Sequence, residues 1–264
     1  MANAGAVMRQ GDDVLRPARP CTAGVHALLR HVLERGFSGV PQPRGVLDGV
    51  ERLSYVPGDV PLPPFPAWWK QDAVLASTAR LLRGFHDATR DLVEARPTTG
   101  ATGTTGTTWS TELADPADPR SAEVMCHNDV CPENVVYRNG EAVALLDFDY
   151  VAPGRRVYDL AQLAKMCCPL DTPDRAASLG LGDVDPFSRL RAVADGYGLP
   201  PGRQTLVDAI DDAVAMGDAF VERHVRAGHP AFVAMWTASG GRARQDRRRR
   251  WLADNRQRML DALA

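Results

Sequence analysis

From Cys126 to Tyr150 the chain reads C-H-N-D-V-C-P-E-N-V-V-Y-R-N-G-E-A-V-A-L-L-D-F-D-Y, and no other stretch restricts the fold so tightly. Asn134–Arg138 and Glu141–Phe148 are β-rich runs that flank Asn139-Gly140. That dipeptide suits a two-residue hairpin turn, whose central positions need positive φ. Closing the hairpin puts Arg138 opposite Glu141 and Asn134 opposite Leu145. Side chains alternate along a strand, so Asp147, two residues past Leu145, falls on the face of Asn134. An amide oxygen and a carboxylate are hard ligands that suit Mg2+, with phosphates and water completing the shell. Asp129 precedes Asn134 by five residues, at the start of the loop, where it can accept a proton from a hydroxyl. Pro132 stiffens the loop, and Cys131 reads as filler.

The order H-x-D-x-x-x-x-N followed by D-F resembles the catalytic loop and metal-binding segment of kinases. Among these, the residues resemble the aminoglycoside phosphotransferase and choline kinase-like family. C-H-N-D-V-C-P-E-N-V-V is similar to that family's H-G-D-x-x-x-x-N loop, with Asn128 in place of the usual Gly. L-L-D-F-D-Y (145–150) and P-G-R-R-V-Y-D-L-A (153–161) look like its metal strand and the helix start that follows, and L-L-R-G-F-H-D-A-T (81–89) like its L-H signature. The resemblance covers most of residues 5–167 and is strongest over 124–163.

The resemblance implies an α+β, two-lobed protein-kinase-like fold. A small β-rich N-lobe (1–56) would cover the nucleotide, and a larger helical C-lobe (57–264) would carry the catalytic loop and acceptor site. Asp129 would be the catalytic base, with His127 bracing the loop. Asn134 and Asp147 would hold Mg2+, and Asp149 would touch a metal or the acceptor. Asp159 would tie its helix to the loop. ATP or GTP would be the co-substrate. In such a fold, backbone groups at Ser54, Tyr55 and Val56 would meet the base; a plain interdomain turn is the other reading.

One departure concerns the phosphates. The family places a Lys on an N-lobe strand, but the only lysines here are Lys70 and Lys165. Arg16, in V-L-R-P-A (14–18), stands at the expected place. Its planar fork binds phosphate differently from an ammonium, and a surface strand residue is the alternative. The helix at 23–35 offers Val25 and His26 where an acid would pair with the Lys, and Glu34 falls too late.

Composition excludes some classes. A net charge of −2 argues against nucleic-acid binding driven by bulk charge. Five cysteines with no C-x-x-C pair suggest reduced thiols in the cytoplasm, with Cys167 and Cys168 in the core. No apolar run reaches membrane-span length, and no signal-peptide pattern is evident.

Strands are expected at 7–9, 14–16, 46–47 and 52–56. Helices are expected at 71–92, 157–168, 187–197, 203–227 and 242–263. His86 is read as a core or helix-end histidine without chemistry. The Thr/Gly tract 97–108 is a lid over the acceptor or a passive insertion. The helix at 203–227 carries Asp208, Asp211, Asp212, Asp218 and Glu222. In relatives such acids often line a pocket for cationic acceptors, so an aminoglycoside-like or amino-alcohol substrate is favoured, against a solvated helix face. Trp236 and Trp251 are core residues or an aromatic wall. Arg247–Arg250 reads as the exposed face of the last helix.

Together these readings predict a phosphotransferase that moves the γ-phosphoryl of a Mg-nucleotide to a small-molecule hydroxyl. The alternatives are a catalytically degenerate kinase-like protein that binds nucleotide or metabolite, and an interaction protein using its Arg-rich C-terminal helix.

Overall fold

The computed structural model describes residues 7–94, 109–200 and 202–264. The Thr/Gly tract 97–108, read as a lid or an insertion, lies outside the described residues. The N-terminal sheet is antiparallel and contains β1 (Met8–Gln10), β2 (Asp13–Pro17), β3 (Pro43–Leu47) and β4 (Val50–Ser54), in the order β1-β2-β4-β3. The turn between β1 and β2 carries Gly11 at φ 62°, as a tight hairpin requires. Helix α1 (Thr22–Glu34) buries Val25, Leu28, Leu29 and Val32, one face at helical spacing. Tyr55 and Val56 lie beyond the end of β4, which begins and ends two residues earlier than the 52–56 expected.

The connection to the larger lobe is fastened by backbone. Asp59 and Tyr137 exchange both N–H···O bonds at 2.8 Å. Gly58 makes this contact possible: a Cβ there would lie 2.5 Å from the Tyr137 carbonyl oxygen, and its φ is +149°. The spine of the second lobe is α2 (Asp72–Glu94), which buries Leu75, Ala79, Leu82, Phe85 and His86 along one stripe. On α2 pack α5 (Pro186–Tyr197) and α3 (Arg156–Cys167), and α3 in turn packs on α6 (Thr205–Arg226), with the short α4 (Pro173–Ser178) between α3 and α5 in the chain. Asp185 caps α5 by accepting from Phe187 and Ser188 N–H, Pro186 opens it, and Gly198 in the left-handed region closes it.

Two features of the C-terminal third differ from expectation. Helix α7 (Pro230–Ser239) occupies a stretch given no element from sequence, and the single helix expected at 242–263 is two: α8 (Gly241–Asp254) and α9 (Arg256–Ala262). The chain turns at Asn255 (φ −104°, ψ 7°). Burial also splits the arginine tract. Arg247, Arg249 and Arg250 are exposed, whereas Arg248 turns inward and donates to the carbonyls of Leu170 and Lys165. A helix cannot point four consecutive residues at water while one side packs. Trp251 stacks on Phe187 with rings 6.2 Å apart. No helix among the described residues is long and apolar enough to cross a membrane.

Candidate active site

Two short antiparallel pairs carry the site: β5 (Val124–Cys126) with β8 (Ala152–Gly154), and β6 (Val135–Arg138) with β7 (Glu141–Leu145). Arg138 faces Glu141 across Asn139-Gly140, as the sequence predicts. The far end differs. A bulge between Val136 and Tyr137 moves the register by one, so Val135 rather than Asn134 faces Leu145. Asn134 instead ends a short 3-10 turn, Pro132–Asn134, and its carbonyl accepts the Leu146 N–H at 2.8 Å. The slip keeps Asn134 at the mouth of the loop beside Asp129.

Asp159 holds the loop from below. Its fully buried carboxylate accepts the N–H groups of His127 (2.7 Å) and Asn128 (2.8 Å) and bonds His86 Nε2 at 2.9 Å. His86 Nδ1 lies 2.7 Å from the Tyr197 hydroxyl. A carboxylate can only accept, so His86 Nε2 carries its proton and Nδ1 takes the hydroxyl's. Burial depresses the His86 pKa despite Asp159, and the Asp159 pKa is lowered because these donors outweigh its own desolvation. His86, read from sequence as inert, is therefore a brace one layer below the loop. Cys126 stands near this pair, but burial pushes its thiol well above its usual value, and it contacts the Arg155 carbonyl rather than completing a metal site.

The sign of the resulting pH effect is fixed. A depressed His86 contributes stability that is complete above about 6.5, the unfolded value, and is lost as pH falls toward its lower folded value. Lowered Asp159 acts in the same direction at more acid pH. Replacing His86 with Gln should flatten the difference in melting temperature between pH 7 and pH 5, relative to wild type. Parallel curves for the two proteins would remove His86 from this role.

Asn128 adopts φ 65°, the left-handed region that the Gly expected here from the resemblance would reach without strain. Asn tolerates that region, and its side chain donates to the Tyr150 carbonyl at 2.9 Å. His127 uses both ring nitrogens on backbone: Nε2 meets the Leu146 carbonyl at 2.8 Å, and Nδ1 accepts the Asp129 N–H at 3.3 Å. Asn134 Nδ2 donates to the Asp129 carbonyl (2.9 Å) and to Oδ2 (3.0 Å). With its nitrogen so engaged, the amide turns its oxygen away from Asp129. Desolvation raises the Asp129 pKa and Asp147 adds to the rise, while His127, Lys165 and Asn134 oppose it.

Asp147 sits at φ 60°, a strained position for a non-glycine residue. Arg16 Nη1 donates to Asp147 at 2.9 Å and Nη2 to Asp149 at 2.9 Å, and Arg19 pairs with Asp149 at 3.1 Å. Burial first, then Asp147, lifts the Asp149 pKa to about 6. Arg16 is therefore no surface strand residue; it is buried against the two acids.

The acid partnering Arg16 escaped the sequence reading. It is Glu51, directly across from Arg16 in the β2–β4 register and fully buried. His26, standing where a helix acid was sought, bonds Glu51 at 2.9 Å instead. The pair of functions has moved from helix to strand. An acid at an inward position of the β-rich run V-E-R-L-S was the available signal.

Other expected contacts are partly used by the protein. Ser54 N–H bonds Gln42, and Tyr55 N–H bonds Asp12. The acids of α6 are ion-paired: Asp208 and Asp211 to Arg256, Asp212 to Arg155, Asp218 to Arg249, and Glu222 to Arg242.

Residues 101–193 match the profile of the phosphotransferase enzyme family, APH. The chain is 29% identical over 269 residues to the trifolitoxin immunity protein of Rhizobium leguminosarum bv. trifolii, covering 98% of this chain and 95% of that one. A choline/ethanolamine kinase family protein from Mesorhizobium loti superposes with TM-score 0.61 at 17% identity, over 97% of this chain and 88% of the other. Aminoglycoside 2'-phosphotransferase-IIIa in its GDP complex gives TM-score 0.52 at 15% identity, over 95% and 88%. The chain thus takes the protein-kinase-like fold of aminoglycoside phosphotransferases and choline/ethanolamine kinases, and its central segment matches the phosphotransferase enzyme family.

Proposed function

We propose that the protein transfers the γ-phosphoryl of a Mg-nucleotide to a hydroxyl of a small molecule. The observation that carries this reading is the meeting of Asp129, Asn134, Asp147 and Asp149 around one loop and hairpin end. The residues fit a divalent cation. Asn134 offers an amide oxygen, Asp147 a partly exposed carboxylate, and the crowding that lifts Asp149 is what a cation relieves. Bound there, Mg2+ would offset charge on the phosphates. Asp129, made more basic by burial, orients the acceptor hydroxyl and takes its proton. His127 and Asp159 hold the loop so that Asp129 need not reorganise.

On the nucleotide side, ATP or GTP enters between the lobes, and Arg16 contacts its phosphates once released from Asp147. A base seated at the connection bonds through Val56, since the Ser54 and Tyr55 N–H groups are engaged. The phosphotransferase aligned over most of this chain is named as a GDP complex, which supports a guanine nucleotide beside ATP. The whole-length relative is named for immunity to trifolitoxin. Phosphorylating a toxin, or sequestering it, would each confer such protection.

A second reading rests on Arg16 itself. Its guanidinium already bridges Asp147 and Asp149, so the chain could hold a ligand in a closed cleft and transfer nothing. One screen separates the two: ADP and GDP release with Mg2+ across hydroxylated acceptors, repeated with Asp147→Ala. Acceptor-dependent release that falls at least ~100-fold in the variant is expected. Absence of both release and Mg-dependent nucleotide binding would overturn the enzyme reading.

A further inference from the structure

Behind the catalytic loop, five cations gather where α3, α4, α6 and α8 approach one another. The C-terminal end of α3 lies under the loop, with the Cys167 thiol 3.7 Å from the carbonyl of Val130, next to Asp129. Two residues earlier, Lys165 Nζ rests against α6, 3.4 Å from the Ala213 carbonyl, and a Cβ on Gly217 would come within 3.0 Å of it. Arg248 of α8 bonds the carbonyls of Lys165 and Leu170 at 3.1 Å, bringing its guanidinium to the same place. Arg244, one turn away on α8, pairs with Asp171 at 3.3 Å, and Arg249 pairs with Asp218 at 2.6 Å. Arg175 joins from α4. Two carboxylates, Asp171 and Asp218, are ion-paired with these cations.

The surplus is visible in two independent ways. Arg175 Nε and Arg244 Nε are buried donors that find no partner among the described residues. A buried donor left unpaired is costly and uncommon, and a ligand is one of the few explanations for two of them side by side. The cations also disfavour one another. Arg175 and Arg248 are held below their ordinary values by burial and by neighbouring arginines, Arg248 most strongly offset by Asp171. Lys165 is pushed down to about 8 by burial first and Arg248 second, despite Asp129 and Asp218. Lys165 thus acts electrostatically on both the cluster and Asp129.

We infer that Lys165, Arg175, Arg244 and Arg248 form an anion site, and that the hydroxyl acceptor carries a carboxylate or phosphate seated there. This rests on the phosphotransferase reading and names its substrate class. It also reverses the expectation drawn from the α6 acids. Those carboxylates are matched by arginines of this chain, whereas the cations gathered around Arg248, with Lys165 reaching toward Asp129, outnumber their carboxylates. Arg175 and Arg244 supply planar two-pronged donors, and Lys165 a point charge nearest the transferred group.

The test is calorimetric binding to the full chain with Mg2+ and a non-hydrolysable nucleotide. Glycerate and glycerol 3-phosphate are compared with glycerol and ethanolamine. The anionic pair should bind at least ~10-fold more tightly than glycerol or ethanolamine, and the better of the two identifies the group. Arg175→Gln and Arg244→Gln should each remove most of that preference while nucleotide affinity and melting temperature stay near wild type. Arg248 is left intact because it also ties backbone carbonyls. Should Arg244→Gln fold poorly, the half-exposed Arg175 on its short helix decides the matter alone. Equal binding of all four compounds, preference for ethanolamine, or indifference to both substitutions would overturn the inference. Loss of nucleotide binding in the wild-type chain would instead strike the phosphotransferase reading beneath it.

Discussion

Replacing Asp129 with Asn should lower turnover by roughly 10²–10⁴-fold, the usual worth of a general base, while Mg-nucleotide affinity changes little. Asn is the informative choice. Asn134 donates to both the backbone carbonyl and the carboxylate of Asp129, so an alanine would leave Asn134 only the carbonyl as well as remove the base. An Asn side chain keeps an oxygen for that bond and removes only the basicity. The comparison with Asp129→Ala is then diagnostic. If Ala weakens nucleotide binding and Asn does not, Asp129 positions the Asn134 ligand in addition to handling the proton. If the Asn variant turns over at the wild-type rate, the base lies elsewhere and the mechanism fails. A fall in nucleotide affinity equal to the fall in turnover would make Asp129 a binding residue instead.

The loop was readable because its constraints are local. Asn139-Gly140 forces a turn, and His127, Asp129 and Asn134 lie within eight residues, so turn geometry and spacing fix their neighbourhood. What was lost depended on contacts across the chain. The bulge at Val136–Tyr137 shifts Asn134 by one position, and nothing in V-V-Y-R marks it; the neighbouring Asp59 bridge to Tyr137 comes from the other lobe's connection. Glu51 and Arg16 are 35 residues apart and meet only because β2 and β4 pair. The family resemblance pointed to Val25 and His26 on α1 as the place for the acid, and His26 there bonds the acid supplied by β4. The ion pairs of the α6 acids could not be read either, because their arginine partners, on α8, α9 and at Arg155, are distant in sequence. Helix α7 was overlooked for a different reason. None of its residues is buried, so it lacks the amphipathic stripe by which helices are usually recognised.

Glu51→Ala should cost about 3–5 kcal/mol, the range for removing one partner of a buried ion pair. Glu51 is fully buried between Arg16 and His26, and no water replaces the lost carboxylate without a rearranged core. Chemical denaturation should show the loss as a lower midpoint with an unchanged slope. Glu51→Gln should cost less, because an amide of the same shape can still bond both neighbours. The two variants should diverge from stability in their effect on the site. With Glu51 neutral, the Arg16 guanidinium has only Asp147 and Asp149 to balance it, and it should hold them more firmly. A divalent cation seeking Asp147 must then displace a stronger competitor. Glu51→Gln should therefore weaken Mg-dependent nucleotide binding severalfold in a protein that is still folded. An undiminished midpoint in Glu51→Ala would show that the buried pair is not holding the sheet. An unchanged metal dependence in Glu51→Gln would show that Arg16 and the cation do not share Asp147. Weaker metal dependence in Glu51→Gln would assign the restraint of Arg16 to a strand carboxylate on β4 rather than to the helix.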